Sequence, residues 1–268
     1  MTFFARDLIA SSGIVASEAR ALLAFALEAT SEALIAHPQL SVPPRVADRF
    51  RDLCARRQTG EPIAYLRMER EFFGRRFRVN PSVLIPRPET ECLVEAALGE
   101  LKRFRRPRVL DLGTGSGCIA ITLALERTDA EVSATDLSET ALDVARANAA
   151  ALGARVEFIH GDWYAPVRQP CDLIVCNPPY VAAGDPHLAQ LACEPIAALT
   201  DGADGLTCLG AVIDGAPARL TVQGVLLIEH GYDQGASVRA MARSRGFRSV
   251  STLVDLAGIE RVCVASNR

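Results

Sequence analysis

A chain of 268 residues with 49% hydrophobic and 23% charged residues excludes general disorder and suffices for one large α/β domain plus a small accessory one. The formal charge of −3 is uneven: residues 1–88 carry 13 Arg against 9 acidic residues, which leaves −7 on residues 89–268. That balance offers no nucleic-acid stripe, and with 28 Arg to a single Lys the basic residues reflect coding bias more than a binding code.

Eight cysteines are scattered without a CxxC pair or a Cys/His cluster at zinc spacing, so no metal is expected. Cys118, Cys171, Cys176 and Cys263 lie in apolar runs and read as small core residues, as suits a reducing cytosol. The opening stretch is broken by Arg6, Asp7 and Glu18 and reads as neither a signal peptide nor a membrane span. A cytoplasmic protein is the expectation.

Residues 3–60 read as helices. The run 17–37 has helical apolar spacing with Ser17 as its N-cap, and 43–60 begins with Pro and ends with Gly. Alternation and Gly74 predict a β-hairpin over 71–85, and a helix begins near Glu89. From residue 107 the rhythm becomes strand, turn, helix: "PRVLDLG", "SGCIAITLALER", "AEVSATD", "SETALDVARANAAALG", then strands at "ARVEFIHGD", "CDLIVCN" and "GVLLIEHG". This predicts an open parallel sheet covered by helices. The final segment, 247–266, holds two strands joined by a short turn, which must be antiparallel to each other.

"VLDLGTGSGCIA" (109–120) sits where a strand meets its helix. Gly113, Gly115 and Gly117 allow a sharp turn close to a ligand, and Asp136, 21 residues beyond Gly115, ends the next strand where a carboxylate takes ribose hydroxyls. The dinucleotide fingerprint fails because Cys118 stands at its third glycine, and no Gly-Lys-Ser/Thr follows. Asp111 beside the loop would repel a pyrophosphate but suits a cationic end, so S-adenosylmethionine (SAM) fits better than NAD or ATP. In "HGDWY", Asp162 and Trp163 are candidates for the adenine, with a tryptophan packed under a loop as the competing reading, and His160 simply ends a strand.

"CDLIVCNPPYV" (171–181) ends a strand at Asn177, Pro178, Pro179 and Tyr180. Methyl transfer to a planar nitrogen needs positioning more than a base. The Asn177 side-chain oxygen and the Pro178 carbonyl are suited to accept both protons of an NH2 group, with Tyr180 packed on its flat face. The competing reading is a rigid turn. Glu89 and Glu91 read as carboxylates at a helix start, and Glu229 as a structural or substrate-orienting group.

Gly-x-Gly-x-Gly with a later Asn-Pro-Pro-Tyr resembles the class I SAM-dependent methyltransferases that act on planar nitrogen. "TGEPIAYL", "EFFGRRFRVNPSVLIPRPETECLVE", "EPIAALTDGADGL", "LLIEHGYDQG" and "DLAGIERV" narrow this to a resemblance to the peptide chain release factor glutamine methyltransferases, the HemK/PrmC type, from about residue 51 to the C-terminus. That resemblance implies a Rossmann-like seven-stranded sheet with an antiparallel last strand and a small helical domain linked by a β-hairpin. The expected division is 1–68 for substrate recognition, 69–88 for the linker and 89–268 for catalysis.

It also implies roles for residues. Gly113, Thr114, Gly115, Ser116 and Gly117 form the SAM loop, Asp136 takes the ribose, and Trp163 lies by the adenine. Asn177 contacts SAM and the substrate amide, and Asn177 to Tyr180 bind a glutamine. The implied substrate is the glutamine of a Gly-Gly-Gln loop in a release factor, met transiently by a monomer. The implied products are N5-methylglutamine and S-adenosylhomocysteine, with no nucleic acid or membrane involved. A ribosomal-protein glutamine or a nucleic-acid exocyclic amine is the alternative substrate. Two departures stand out: Met68 where the family usually has glycine, and Leu209–Gly210 where an aromatic–arginine pair is common.

Overall fold

Residues 3–165 and 167–267 are described by the computed structural model, and the chain divides into two units, Met1–Glu69 and Arg70–Arg268. In the first, β1 (Phe3–Phe4) leads into α1 (Ala5–Ala10), α2 (Ala16–Leu27) and α3 (Ser31–Ala36). Next come β2 (Ser41–Val42), antiparallel to β1, and then α4 (Pro44–Gln58) and α5 (Ile63–Arg67). Leu22, Leu23, Phe50 and Leu53 fill its core, as the helical spacing predicts.

The run 17–37 is not one helix, and Ser17 is not its cap. α2 begins after Val15, which makes no side-chain cap, and stops at Glu28, whose φ of 54° is left-handed. A second start follows, where Thr30 accepts from the Ala33 amide at 3.2 Å. Pro44 at the first turn of α4 matches expectation.

α5 ends at Met68 with φ 58°, a conformation that costs a non-glycine residue about 1 kcal/mol. This explains why glycine suits the position. Met68→Gly should raise the unfolding free energy by about 0.5–1 kcal/mol, read as a higher denaturant midpoint. An unchanged or lower midpoint would mean that the exposed Met68 side chain contributes packing that offsets the backbone.

A hairpin begins at the boundary with the second unit, β3 (Glu69–Phe72) and β4 (Arg75–Arg78), joined at Phe73 and Gly74, both with positive φ (51° and 69°), as a two-residue hairpin turn requires. Phe72 and Phe77 meet edge to face at 6.1 Å and join the core of this unit. The hairpin expected around Gly74 is present.

The unit continues through α6 (Glu91–Leu101), β5 (Arg108–Leu112), α7 (Cys118–Glu126), β6 (Glu131–Asp136), α8 (Glu139–Leu152) and β7 (Glu157–His160). It ends with β8 (Cys171–Cys176), α9 (Thr207–Gly215), β9 (Leu220–Glu229), α10 (Gly235–Ser244), β10 (Ser249–Val254) and β11 (Glu260–Ser266). Seven strands form one sheet in the order β10-β11-β9-β8-β5-β6-β7. The pairs among β5 to β9 are parallel, and β11 is antiparallel to both β9 and β10. The expected antiparallel last strand is present.

Val109, Leu110, Leu173, Ile174 and Val175 are buried because β5 and β8 are covered on both faces. From β5 the chain moves outward to β6 and β7, then crosses back to β8 on the other side. The carboxyl ends of β5 and β8 therefore flank the switch point where open α/β sheets bind ligands.

Leu209 is fully buried in α9, and Gly210 lies near Met241. No helix among the described residues is long and apolar enough to cross a membrane.

Candidate active site at the carboxyl ends of the central strands

The turn after β5 takes left-handed conformations at Gly113, Gly115 and Gly117 (φ 67°, 55° and 81°). A Cβ on Gly117 would come within 2.8 Å of Ile121 and 3.1 Å of Ala145, so that glycine allows close helix packing. Gly115 is different: nothing lies within 4 Å of where its Cβ would be, which leaves its backbone open to a ligand. The Thr114 amide donates to the Thr135 carbonyl at 3.0 Å, tying the loop to β6. Thr114 and Ser116 are themselves buried.

Asp136 ends β6 with one carboxylate oxygen accepting from the Gly115 amide (2.8 Å) and the other from the Ser138 amide (2.9 Å). Burial pushes its proton affinity up, and those two amides oppose the shift. Asp111, fully buried, accepts from the Thr114 hydroxyl at 2.6 Å through Oδ2, while Oδ1 completes no hydrogen bond. Burial pushes its carboxyl up to about 7, with Thr114 and the Ala120 amide opposing and Asp136 adding repulsion.

Trp163, at φ 39°, lies against the loop, where a Cβ on Gly113 would meet its ring at 3.4 Å. It also packs on the core with Tyr164, so the ligand and packing readings of this tryptophan are compatible. Asp162 beside it is exposed. His160 contacts the Leu137 carbonyl oxygen at 2.9 Å and serves the end of its strand.

Asn177 follows β8 directly, and its Nδ2 donates to Thr90 Oγ1 at 3.2 Å. Among the described residues no donor is directed at Asn177 Oδ1 or at the Pro178 carbonyl oxygen. The Tyr180 hydroxyl donates to Glu229 Oε1 at 3.1 Å, and burial together with that carboxylate holds the phenol proton far more tightly than usual. Gln234 holds the segment from behind, donating to the Tyr180 carbonyl (2.9 Å) and the Gly205 carbonyl (3.2 Å).

Several supporting residues escape sequence reading. Buried Asn148 on α8 donates to the Ser116 carbonyl (2.9 Å) and the Arg78 carbonyl (3.0 Å) and accepts from the Arg78 amide (2.7 Å). It joins the glycine turn to the hairpin. Buried Glu194 accepts from the Ile85 amide at 2.9 Å and pairs with Arg87, fastening "IPRPET" to the segment after the prolines. Glu91 does more than face a helix start, since it accepts from the Phe73 amide at 2.9 Å. Asn148→Ala should lower stability by about 2 kcal/mol by stranding these partners, read as a shift in denaturant midpoint. An unchanged midpoint would show that water replaces all three bonds.

A cavity of about 1220 Å³ lies elsewhere, at the amino ends of the strands near Arg108, Glu131 and Cys171, on the sheet edge opposite the glycine turn. Size alone does not mark the site; the switch point and the open acceptors do. Among the described residues no group of three or more His, Cys, Asp or Glu is placed to hold a metal ion.

Residues 90–202 match the family described as the methyltransferase small domain, and residues 4–67 match the PrmC N-terminal domain. The chain is 53% identical over 250 residues to the release factor glutamine methyltransferase of Neisseria gonorrhoeae, covering 91% of each. It is 51% identical over 261 residues to that of Bordetella pertussis, covering 96% of this chain and 97% of the other. The chain belongs to the release factor glutamine methyltransferase family. Its fold is also that of a methyltransferase from Pyrococcus furiosus, with a TM-score of 0.54 at 18% identity over 80% of this chain and 96% of the other.

Proposed function

We propose that this protein transfers a methyl group from SAM to the side-chain amide nitrogen of a glutamine in a peptide chain release factor, within its Gly-Gly-Gln loop. The pair of undonated acceptors at Asn177 Oδ1 and the Pro178 carbonyl, beside the glycine turn, carries this reading.

The residues present fit SAM. Gly115 leaves an open cradle, Asp111 Oδ1 is a buried acceptor without a partner beside a loop suited to a cationic end, and Asp136 is a carboxylate aligned by two amides. Gly113 to Gly117 and Asp136 hold the nucleoside and its tail, with Trp163 against the loop. Asp162, exposed beside Trp163, is assigned to the adenine amino group. When bound, SAM supplies an electrophilic methyl on a sulfonium.

An amide nitrogen is a poor nucleophile because its lone pair is delocalised, so orientation is what the protein must supply. Asn177 Oδ1 and the Pro178 carbonyl accept one hydrogen bond each from the substrate NH2, directing its lone pair and favouring the positive charge that develops as the bond forms. Pro178 and Pro179 stiffen that carbonyl, and Tyr180 packs on the planar amide. The methylated nitrogen then loses its extra proton to solvent water, a step that needs no side-chain base. The reaction belongs in the cytoplasm, with residues 1–68 recognising the release factor and the enzyme acting as a monomer.

The test is incubation with methyl-labelled SAM and, in parallel, unmodified release factor, ribosomal proteins, and adenine- and guanine-containing nucleic acid. Label entering the release factor alone is the expected result. Label in ribosomal protein or nucleic acid, with none in release factor, would overturn the substrate assignment.

A further inference from the structure

Two stretches of the sequence, "EPIAALTDGADGL" and "LLIEHGYDQG", supply nothing to the cofactor loop or to the acceptors at Asn177 and Pro178. They meet instead at the carbonyl of Tyr180. Gln234 Nε2 donates to the Tyr180 carbonyl at 2.9 Å and to the Gly205 carbonyl at 3.2 Å, while its Oε1 accepts from the Gly231 amide at 2.9 Å. The Gly231 bond settles which way the side chain is turned. With Oε1 facing an N–H, Nε2 faces the two carbonyls, and both of its protons are used.

Gly205 closes the other side of that carbonyl. A Cβ there would lie 2.2 Å from the Tyr180 oxygen, and φ is +80°, so a side chain has neither the room nor the backbone for it. Asp201 holds this turn, with Oδ1 accepting from the Ala203 and Gly205 amides (2.9 and 3.0 Å) and Oδ2 from the Thr207 amide (2.8 Å). The chain beyond Tyr180 is paired with the same segment: the Val181 amide donates to the Leu199 carbonyl and the Ala183 amide to the Ala203 carbonyl, each at 2.9 Å.

At its far end the Tyr180 hydroxyl donates to Glu229 Oε1 at 3.1 Å. Glu229 is the last residue of β9, and Gln234 immediately precedes α10. One short connection therefore grips Tyr180 at both its carbonyl and its hydroxyl.

We propose that Gln234 is a positioning residue for the methyl acceptor: it seats the Tyr180 carbonyl against Gly205 and so, with Glu229 at the hydroxyl, fixes the ring on which the substrate amide packs. This rests on the reading of Tyr180 as that face. Holding the carbonyl sets the peptide plane after Tyr180, and holding the hydroxyl sets the tip of the ring. The ring then keeps the planar amide where Asn177 Oδ1 and the Pro178 carbonyl both reach its NH2. A small loss of that alignment slows transfer without touching the groups assigned to SAM.

The test compares Gln234→Glu and Gln234→Met with the wild type, using SAM and unmodified release factor. Gln234→Glu keeps the shape and the acceptor for Gly231 but turns a carboxylate oxygen toward two carbonyl oxygens; Gln234→Met removes the polar atoms. Both should lower kcat by about 10- to 100-fold with the SAM dissociation constant within about twofold, which also shows that the variants fold. Protonation of the new carboxyl restores one donor to the Tyr180 carbonyl. The rate of Gln234→Glu relative to wild type at the same pH should therefore rise about fivefold or more as pH falls from about 8 to about 5.5, whereas the ratio for Gln234→Met stays level. A Gln234→Met enzyme within about twofold of wild-type kcat would overturn the proposal, as would a parallel loss of SAM affinity or a pH-independent ratio for Gln234→Glu.

A second readout needs no methyl acceptor. The chain has four tyrosines, so 3-fluorotyrosine labelling gives a simple fluorine spectrum in which Tyr180→Phe identifies the Tyr180 signal. In Gln234→Met that signal should shift and broaden while those of Tyr65 and Tyr164 stay in place. An unchanged Tyr180 signal would overturn the positioning role even if the wild type proved inactive on release factor, an outcome that would itself overturn the substrate assignment.

Discussion

Asn177→Ala should lower kcat by about 10²- to 10³-fold while changing the SAM dissociation constant much less. The asymmetry follows from where its oxygen lies. Nδ2 is occupied by Thr90 at 3.2 Å, so Oδ1 is the atom left for the substrate, and no donor among the described residues is directed at it. Its bond to an amide NH2 strengthens as that nitrogen becomes positive, which is stabilisation realised in the transition state rather than on binding. Single-turnover rates with SAM saturating would isolate the step. A variant that transferred methyl at the wild-type rate once saturated, but bound SAM poorly, would show that Asn177 serves the cofactor and not the amide.

Asp136→Ala should act at the other end of the chemistry, weakening SAM binding by about 10²-fold or more while a saturated enzyme retains much of its rate. The substitution removes a charged acceptor for ribose hydroxyls, each such bond being worth about 1.5–3 kcal/mol. It also strands the Gly115 and Ser138 amides, which hold the glycine turn and the start of α8 in place. Asp136→Asn separates the two effects, since it keeps one acceptor for those amides but loses the charge. Calorimetric titration with SAM and with S-adenosylhomocysteine reads both variants. An unchanged dissociation constant for Asp136→Ala would remove this residue from the cofactor site.

The parts of the site legible in the sequence are those whose chemistry is local to a strand end. Gly113 to Gly117 and Asn177 each follow a strand directly and Asp136 ends one, so their spacing places them at one edge of the sheet. The supporting residues were not legible because their partners are remote. Thr90 meets Asn177 across 87 residues and Glu194 meets Ile85 across 109, and neither separation leaves a periodic signal. Asn148 looks like an ordinary polar residue on an amphipathic helix until β4 and the glycine turn arrive on either side of it.

The same limit shaped the fold. Gly74 announced a hairpin turn, but the positive φ of Phe73 beside it had no compositional mark. Ser17 resembles a cap but lies inside α2, which begins at Ala16, and the left-handed Glu28 ends that helix so that Thr30 caps the next. The paired strands of 247–266 were readable because a short turn admits only an antiparallel pair, whereas the insertion of β11 between β9 and β10 depended on the whole sheet.

The most direct measurement is tandem mass spectrometry of the Gly-Gly-Gln peptide from a release factor incubated with SAM and the enzyme, alongside Asn177→Ala. The account predicts one added methyl on the side-chain amide of that glutamine with the wild type, and almost none with the variant. A methyl on any other residue of the peptide, or equal methylation by Asn177→Ala, would contradict it.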